Sequence, residues 1–331
     1  QRTIHRGRRV SAATAFLHPA MKRPNLVVRT GVHVTGIVLE GRRATGVTYR
    51  KGGRNGPEQA LLIGREVILS GGAYNSPLIL QQSGIKVRHA LAGVGENLKD
   101  HYAPRFNARV KNIETINERT RGLKLATEIA KWAFARKGIL ALSPTLVYAF
   151  WHSGETAESS DIQLTFTPAS YMEGVQGQLE REPGMTVASW QQRPLSRGTV
   201  RPRSADPFAA PLINPNYLAE ETDRRVLLAA MKLARRLLRT RPLEPYFDRE
   251  DYPGPNVQSD DELLAVARER GTTTFHPAGT CRMGPSSDPQ AVVDDQLRVH
   301  GLEGLRVIDA SIMPTMLSAN LNAATMMIAA K

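Results

Sequence analysis

The sequence predicts an α/β protein, and three observations support this fold class. With 331 residues, of which 41% are hydrophobic, the chain is long enough to bury a sizeable core. A strand pattern, a glycine turn and a short helix pattern follow one another at 66–84. Short β-branched runs precede this unit, and strong helical patterns follow it. We therefore expect strands and helices to share one large domain or two moderate ones.

The first part of the chain is typical of strands. β-branched runs separated by glycine and charged turns cover 25–28, 32–39 and 44–49, which predicts a small β-meander. A buried-type strand at 66–70 continues into two glycines and an apolar segment at 77–82, which predicts a short helix.

The rest of the chain alternates between helical and strand patterns. A long helical pattern covers 116–137, and strand-like alternation covers 161–166. The clearest helix is predicted at 220–241, because acidic residues begin it and Pro242 ends it. A capping box at 259–262 predicts a helix that ends at Gly271. Further strands are expected at 297–299 and 305–309, and a last helix at 323–331.

The net charge of +13 would suit an anionic partner. The arginines are scattered among acidic residues, however, and no basic run carries interleaved aromatics or glycines. We therefore predict an arginine-rich solvated surface and no nucleic-acid binding. Peripheral contact with an anionic membrane face, such as the inner membrane, is left open. The longest apolar run, at 138–151, is broken by Ser143 and Pro144, so no transmembrane helix is expected.

The ends of the sequence and its single cysteine bear on the compartment. The basic residues at 1–6 precede no apolar stretch, and no initiator Met is present, so we interpret the start as internal to a longer protein. Cys281 alone can form no internal disulfide, which favours the cytoplasm. The thiol is predicted to be a small buried hydrophobe rather than a reactive group.

His276 is the strongest candidate for chemistry. It lies in a run at 273–284 in which Pro277, Gly279 and Gly284 predict an irregular loop. A lone histidine is commonly a bystander, so the alternative is an ordinary loop residue. The other histidines show no ligand spacing, so no metal site is expected and all are predicted to be surface or loop residues: His5, His18, His33, His89, His101, His152 and His300.

A second polar segment lies downstream of His276. A predicted strand ends at Asp309, and a polar elbow at 318–322 begins a helix. Backbone N–H groups at such a helix start favour negative charge. For Asn320 and Asn322, helix capping is the alternative.

These two segments, together with 70–85 and 93–101, resemble the glucose-methanol-choline (GMC) oxidoreductase family. The runs at 193–200 and 204–207 are also similar to that family, most of all to its bacterial choline-dehydrogenase-type branch. The resemblance covers nearly the whole chain. It implies a partial FAD-binding domain of GMC type, formed by 1–99 and 271–331. The intervening 100–270 would form an α+β substrate domain with an antiparallel sheet.

The resemblance implies FAD as the cofactor, without a nicotinamide partner. It implies oxidation of a small primary alcohol to an aldehyde, with a quinone or oxygen as electron acceptor. A histidine at the position of His276 would take the hydroxyl proton, and a neutral imidazole of pKa about 6.5 can do so at pH 7. Asn320 would orient the alcohol, so we expect the two side chains to lie close together.

The same matching assigns cofactor-binding residues. Asp309, with Ala310 beside it, would contact the ribityl chain of the flavin. The backbone at Asn322 would contact the pyrimidine end of the ring, and Val34 would lie beside the adenine.

Two departures from the family pattern affect the expected function. The 331 residues contain no Gly-x-Gly-x-x-Gly turn, which the family uses to bind the FAD pyrophosphate. The chain also passes directly from 83–85 to 86–89, so we expect that a stretch that relatives carry between these runs is deleted. The chain stops at Lys331, inside an expected longer helix. We therefore expect these residues alone to be inactive, and the alternative function is a silent remnant or a basic binding module that keeps the scaffold.

Overall fold

The computed structural model describes residues 3–85, 91–143, 145–155, 159–172 and 177–331. The predicted departure at 86–89, with His89, lies outside these residues. The chain divides into two compact units. The first unit comprises Gln1–Leu26, Tyr102–Gln192 and Arg224–Thr272, and the second comprises Val27–His101, Arg193–Asp223 and Thr273–Lys331.

The elements are numbered in chain order. The strands are β1 (Ile4–His5), β2 (Arg8–Arg9), β3 (Val32–Glu40), β4 (Arg43–Lys51), β5 (Glu58–Leu62), β6 (Val67–Leu69), β7 (Tyr102–Ala103), β8 (Arg105–Val110), β9 (Val147–Trp151), β10 (Ile162–Thr167), β11 (Gly184–Gln191), β12 (Thr199–Arg201), β13 (Leu212–Asn214), β14 (Phe247–Tyr252), β15 (Thr272–Thr273) and β16 (Leu305–Val307). The helices are α1 (His18–Ala20), α2 (Gly72–Gln82), α3 (Ile116–Arg119), α4 (Gly122–Ala135), α5 (Glu221–Leu238), α6 (Asp260–Arg270) and α7 (Asn322–Ala330). Short π and 3-10 turns cover Ala13–Leu17, Ile139–Ala141 and Ala310–Ile312.

The first unit is built on a five-stranded sheet in the order β14-β8-β11-β10-β9. Every neighbouring pair in it is antiparallel. Alternate residues of β8 are buried, among them Phe106 and Ala108, as expected of a strand with one covered face. The antiparallel sheet expected from the sequence is confirmed.

The second unit contains a parallel pair, β6 with β16, and the antiparallel sheet β3-β4-β5. Strand β6 continues through Gly71 and Gly72 into α2, as the pattern predicted. Gly72 has φ +76°, a conformation that favours glycine. Leu80 from α2 and Val307 from β16 lie in one buried apolar cluster with Val67 and Leu69 of β6. This core fixes the ends of β6 and β16, after which Gly72 and Asp309 follow.

The strand predicted at 25–28 is wrong. These residues form no strand, and the third strand of the meander is β5. Strand β5 lacks β-branched residues, so only its pairing with β4 makes it a strand. Val27 is 76% exposed, so its β-branched side chain packs against no neighbouring element that would stabilise a strand here.

Three further elements differ from the sequence-based expectation. The helix predicted at 116–137 is two helices, α3 and α4, because Gly122 has φ +50° at the join. Helix α5 ends at Leu238 and turns follow to Pro242. The strand predicted at 297–299 is wrong, because Leu297 has φ +64° and only isolated bridges form there. The capping box of α6 is confirmed, with both reciprocal hydrogen bonds present.

The two compact units agree in part with the predicted domains. The predicted boundaries at 99/100 and 270/271 lie close to the unit boundaries at 101/102 and 272/273. Residues 1–26, however, belong to the first unit with most of the predicted substrate domain, and residues 193–223 belong to the second unit with most of the predicted FAD domain. The functional assignment of the domains stays a prediction. None of the helices in the described ranges is both long and apolar enough to cross a bilayer.

We expect Leu80→Ala to lower the free energy of unfolding by about 2–5 kcal/mol, because it removes a fully buried side chain and leaves a cavity. Urea denaturation measures this change. The matched control is Leu62→Ala on β5, where the side chain is 68% exposed, and it should change stability by less than about 0.5 kcal/mol. Equal losses in the two variants would contradict the assignment of Leu80 to the core.

Candidate active site

His276 lies on an irregular loop that runs alongside the segment 99–101. Lys99 and Ala278 exchange backbone hydrogen bonds of 3.0 and 2.9 Å, and the Thr274 N–H donates to the His101 carbonyl at 2.9 Å. Gly279 has φ +88°, and a Cβ there would lie 2.6 Å from the Asn97 carbonyl oxygen. Only glycine fits this approach, as the sequence of the loop predicted.

The carboxylate of Asp100 holds this loop. Its Oδ1 accepts the backbone N–H of His101 at 2.8 Å and of His276 at 2.9 Å. Its Oδ2 accepts the Tyr217 hydroxyl at 2.6 Å and also the Thr273 hydroxyl. Asp100 is 4% exposed, so these donors replace the water that a carboxylate would otherwise bind. One buried side chain therefore joins three separate segments of the second unit.

The imidazole of His276 has polar neighbours at both nitrogens. Its Nε2 lies 2.9 Å from Nδ2 of Asn320. Its Nδ1 lies 2.9 Å from Nδ1 of His101 and 2.8 Å from the Thr274 hydroxyl. The expected proximity of His276 and Asn320 is thus observed, while their chemical roles stay predictions.

Burial and charge act in opposite directions on His276. Burial lowers the pKa of the imidazole, and the negative charge of Asp100 raises it; the net pKa lies below the usual value. The site therefore favours a neutral ring that can accept a proton. Burial first, and then the charge of Asp100, raise the pKa of the Tyr217 hydroxyl, so that this group stays protonated and donates a hydrogen bond to the carboxylate.

Asn320 and Asn322 do not cap a helix, so that alternative is wrong. The N-cap of α7 is Leu321, and no side chain caps it. Asn320 precedes the helix and points its amide at His276, while Asn322 is the first helical residue and is exposed. The first-turn N–H groups of α7 are consequently without a side-chain cap.

Asp309 joins the ends of the parallel strands. Its Oδ2 accepts the Gly72 N–H at 2.9 Å and the Ser76 hydroxyl at 2.6 Å, and its Oδ1 accepts the Ser311 N–H at 2.8 Å. Ala310 begins the 3-10 turn that follows and is half-buried. Val34 is a half-buried residue of β3. The turn after Asp309 is joined to the loop of His276 through the backbone, since the Gly279 N–H donates to the Ala310 carbonyl at 3.3 Å and the Cys281 N–H donates to the Ser311 carbonyl at 2.9 Å.

His101 was predicted to be an ordinary surface or loop histidine, and it does lie outside the helices and strands, but it is not on the surface. Its side chain is fully buried (0% exposed) against His276. Asp100, Tyr217 and Thr273 were also missed as site residues. The sequence signal was the Asp100-His101 pair at the end of the 93–101 run, where two titratable residues follow a glycine-rich turn.

Cys281 is fully buried, and burial raises the pKa of its thiol, which confirms the prediction of a structural residue. Within the described ranges, no group of three or more His, Cys, Asp or Glu side chains is arranged to hold a metal ion.

Two sequence models of the GMC oxidoreductase family match this chain, one at residues 2–103 and the other at 194–329. The chain belongs to this family.

Curated relatives are oxygen-dependent choline dehydrogenases. The chain is 39% identical to that of Staphylococcus saprophyticus over 341 aligned positions, covering 99% of this chain and 60% of the relative. It is also 39% identical to that of Staphylococcus aureus strain MSSA476, with 99% and 59% covered. The chain therefore spans about 60% of the length of these relatives.

Solved structures give the same result for the fold. A pyridoxine 4-oxidase from Mesorbium loti is 27% identical with a TM-score of 0.81, covering 98% of this chain and 61% of that one. A formate oxidase from Aspergillus oryzae, studied for FAD modification, is 26% identical with a TM-score of 0.86, covering 98% and 62%. The fold is thus that of GMC oxidoreductases, and the family and these neighbours support FAD as the cofactor.

We expect Asp100→Asn to lower the pKa of His276 further, because the charge that raises it is removed. Titration of the imidazole by NMR measures this shift. The control is Asp294→Asn, which removes the same charge from a turn where Asp294 pairs with Arg298, and it should leave the pKa of His276 unchanged. A rise of that pKa in Asp100→Asn would contradict the electrostatic role of the carboxylate.

Proposed function

We propose that this chain carries the proton-accepting site of an FAD-dependent alcohol oxidoreductase. In the proposed reaction His276 takes the hydroxyl proton of a small primary alcohol, and the alcohol becomes an aldehyde. FAD, when bound, supplies the acceptor for the hydride that leaves the same carbon.

The observation that carries the proposal is the position of Asn320 beside Nε2 of His276, at 2.9 Å. A general base must lie within hydrogen-bond reach of the proton it accepts, and a neutral ring is needed at pH 7. The lowered pKa of His276 favours that neutral form. A hydroxyl placed between the two side chains would accept from the Asn320 amide and donate to Nε2. In this role Asn320 orients the alcohol, and His276 removes its proton.

The residues expected to hold FAD are compatible with it. A carboxylate has about four lone-pair sites, and Asp309 uses three of them for Gly72, Ser76 and Ser311. One site is left for a hydroxyl such as those of the ribityl chain, beside the half-buried Ala310. The uncapped first turn of α7, at Asn322, offers N–H groups to the electron-rich end of the flavin. Val34 would contact the adenine from β3.

The remaining partners follow from the family. The alcohol is proposed to be small and choline-like, after the curated relatives, and the electron acceptor to be oxygen or a quinone. A cytoplasmic location, with peripheral contact to the inner membrane as the alternative, remains part of the proposal.

We expect His276→Ala to slow reduction of the flavin by alcohol by about 10²- to 10⁴-fold in the holoenzyme that carries this chain. FAD binding should change little, because the substitution removes the base and no cofactor-binding residue. Rapid-mixing absorbance follows flavin bleaching. The control is His300→Ala, whose ring nitrogen bonds the Gly284 carbonyl in the same unit. A wild-type rate of flavin reduction in His276→Ala would contradict the assignment of His276 as the base.

We expect residues 1–331 expressed alone to remain colourless after FAD is added and to oxidise no alcohol. The backbone donors of a Gly-x-Gly-x-x-Gly turn, which anchor the pyrophosphate, are not in this sequence. Ile68 in β6 is 50% exposed, and such strand surfaces promote association and poor solubility. Flavin absorbance and gel filtration test this expectation. A yellow, monomeric and active protein would disprove it, whereas a colourless fold would suit the alternative of a silent scaffold.

A further inference from the structure

Two imidazoles face each other through like nitrogens in the candidate site. Nδ1 of His101 lies 2.9 Å from Nδ1 of His276. The ring centroids are 5.0 Å apart, and the ring planes are nearly perpendicular, at 89°. At this distance the two nitrogens share one proton, because two N–H groups would repel and two lone pairs could form no bond.

Asn320 decides which ring carries that proton. Its Nδ2 group donates to Nε2 of His276, so Nε2 has a lone pair. A neutral imidazole carries one proton, which must then be on Nδ1. The Nδ1–H group points at His101 and at the Thr274 hydroxyl, both of which can accept. His101 must therefore present a lone pair at Nδ1 and carry its own proton at Nε2.

The backbone holds the two rings in this relation. The same oxygen, Oδ1 of Asp100, accepts the N–H groups of His101 and His276. The Thr274 N–H donates to the His101 carbonyl from the residue two positions before His276. His101 is fully buried, so water does not compete for its Nδ1. The acceptor at Nδ1 of His276 is thus fixed before any substrate binds.

We propose that His101 is a positioning residue that holds His276 in the tautomer with a proton on Nδ1 and an unprotonated Nε2, which accepts the hydrogen bond of Asn320. This inference rests on the proposed function of His276 for its effect on rate, but not for the tautomer itself. When Nε2 accepts a proton, the alcohol O–H bond breaks and an N–H bond forms. The Nδ1–H bond to His101 persists and becomes charge-assisted, roughly doubling its strength. Orientation of a base by the bond at its other nitrogen is a general requirement of such catalysis.

The tautomer can be measured directly. Nitrogen NMR of histidine-labelled holoenzyme distinguishes a protonated from an unprotonated ring nitrogen. We expect the wild-type protein to carry protons on Nδ1 of His276 and on Nε2 of His101. The reverse arrangement in the wild type, with the proton on Nδ1 of His101, would overturn the proposal regardless of how any variant folds.

Two substitutions separate hydrogen bonding from packing. His101→Asn can place an amide oxygen at the position of Nδ1, so it should keep the tautomer of His276 and most of the turnover. His101→Leu fills the space with no acceptor and leaves only the Thr274 hydroxyl at Nδ1 of His276. A hydroxyl can donate as well as accept, so this variant should mix the tautomers of His276 and lower kcat by about 10- to 100-fold. KM should change less than kcat, because no contact to substrate is removed. His300→Leu is the control for losing a half-buried ring elsewhere in the unit.

The outcomes distinguish this inference from the proposed function. If His276→Ala slows flavin reduction while His101→Leu keeps both the wild-type rate and the wild-type tautomer of His276, the role of His101 is overturned and the proposed function is not. A normal rate in His276→Ala would overturn the proposed function, and the tautomer measurement would still decide the inference. Equal loss in His101→Asn and His101→Leu, with the tautomer intact in both, would reduce His101 to a packing residue.

Discussion

The buried carboxylate of Asp100 is the interaction on which the candidate active site depends. Removing a carboxylate from water costs several kcal/mol unless donors compensate, and Asp100 is compensated by two backbone N–H groups and two hydroxyls. The hydroxyl donors, Tyr217 and Thr273, are 117 and 173 positions away in sequence. Displacement of any one segment would leave a buried charge short of donors. The loop of His276 is therefore fixed by a long-range contact, although its own backbone is irregular.

Sequence patterns predicted the features that depend on neighbouring residues. The capping box of α6, the glycine loop around His276 and the polar elbow at Asn320 are all local, and all are present. The contact between His101 and His276 could not be predicted, since the two residues are 175 positions apart, although the Asp100-His101 pair marked the segment. The same reason explains β5, whose residues have little strand propensity and pair only because β4 lies beside them. Local propensity thus identified helices and loops better than it identified sheet edges and buried partners.

The electrostatics of His276 reflect a compromise. Burial lowers the pKa of the ring more than the charge of Asp100 raises it. Since the folded state binds this proton less tightly than the unfolded chain does, the depressed pKa costs stability only as the pH falls below the ordinary histidine value of about 6.5. Above that pH the neutral ring carries no such penalty. A base that is neutral at pH 7, beside a carboxylate that stabilises it once protonated, is suited to accept a proton and later release it.

Three buried aspartates of the second unit stabilise its loops in the same way. Asp100, Asp223 and Asp309 are 4%, 3% and 6% exposed, and each accepts two backbone N–H groups and at least one hydroxyl. A short carboxylate can satisfy N–H groups from segments that meet at angles no β-ladder allows, because its oxygens accept from several directions. The loop backbones are thereby held in place without strand pairing. The loop of His276 can follow the irregular path that its glycine and proline impose and still present Nε2 at a fixed position.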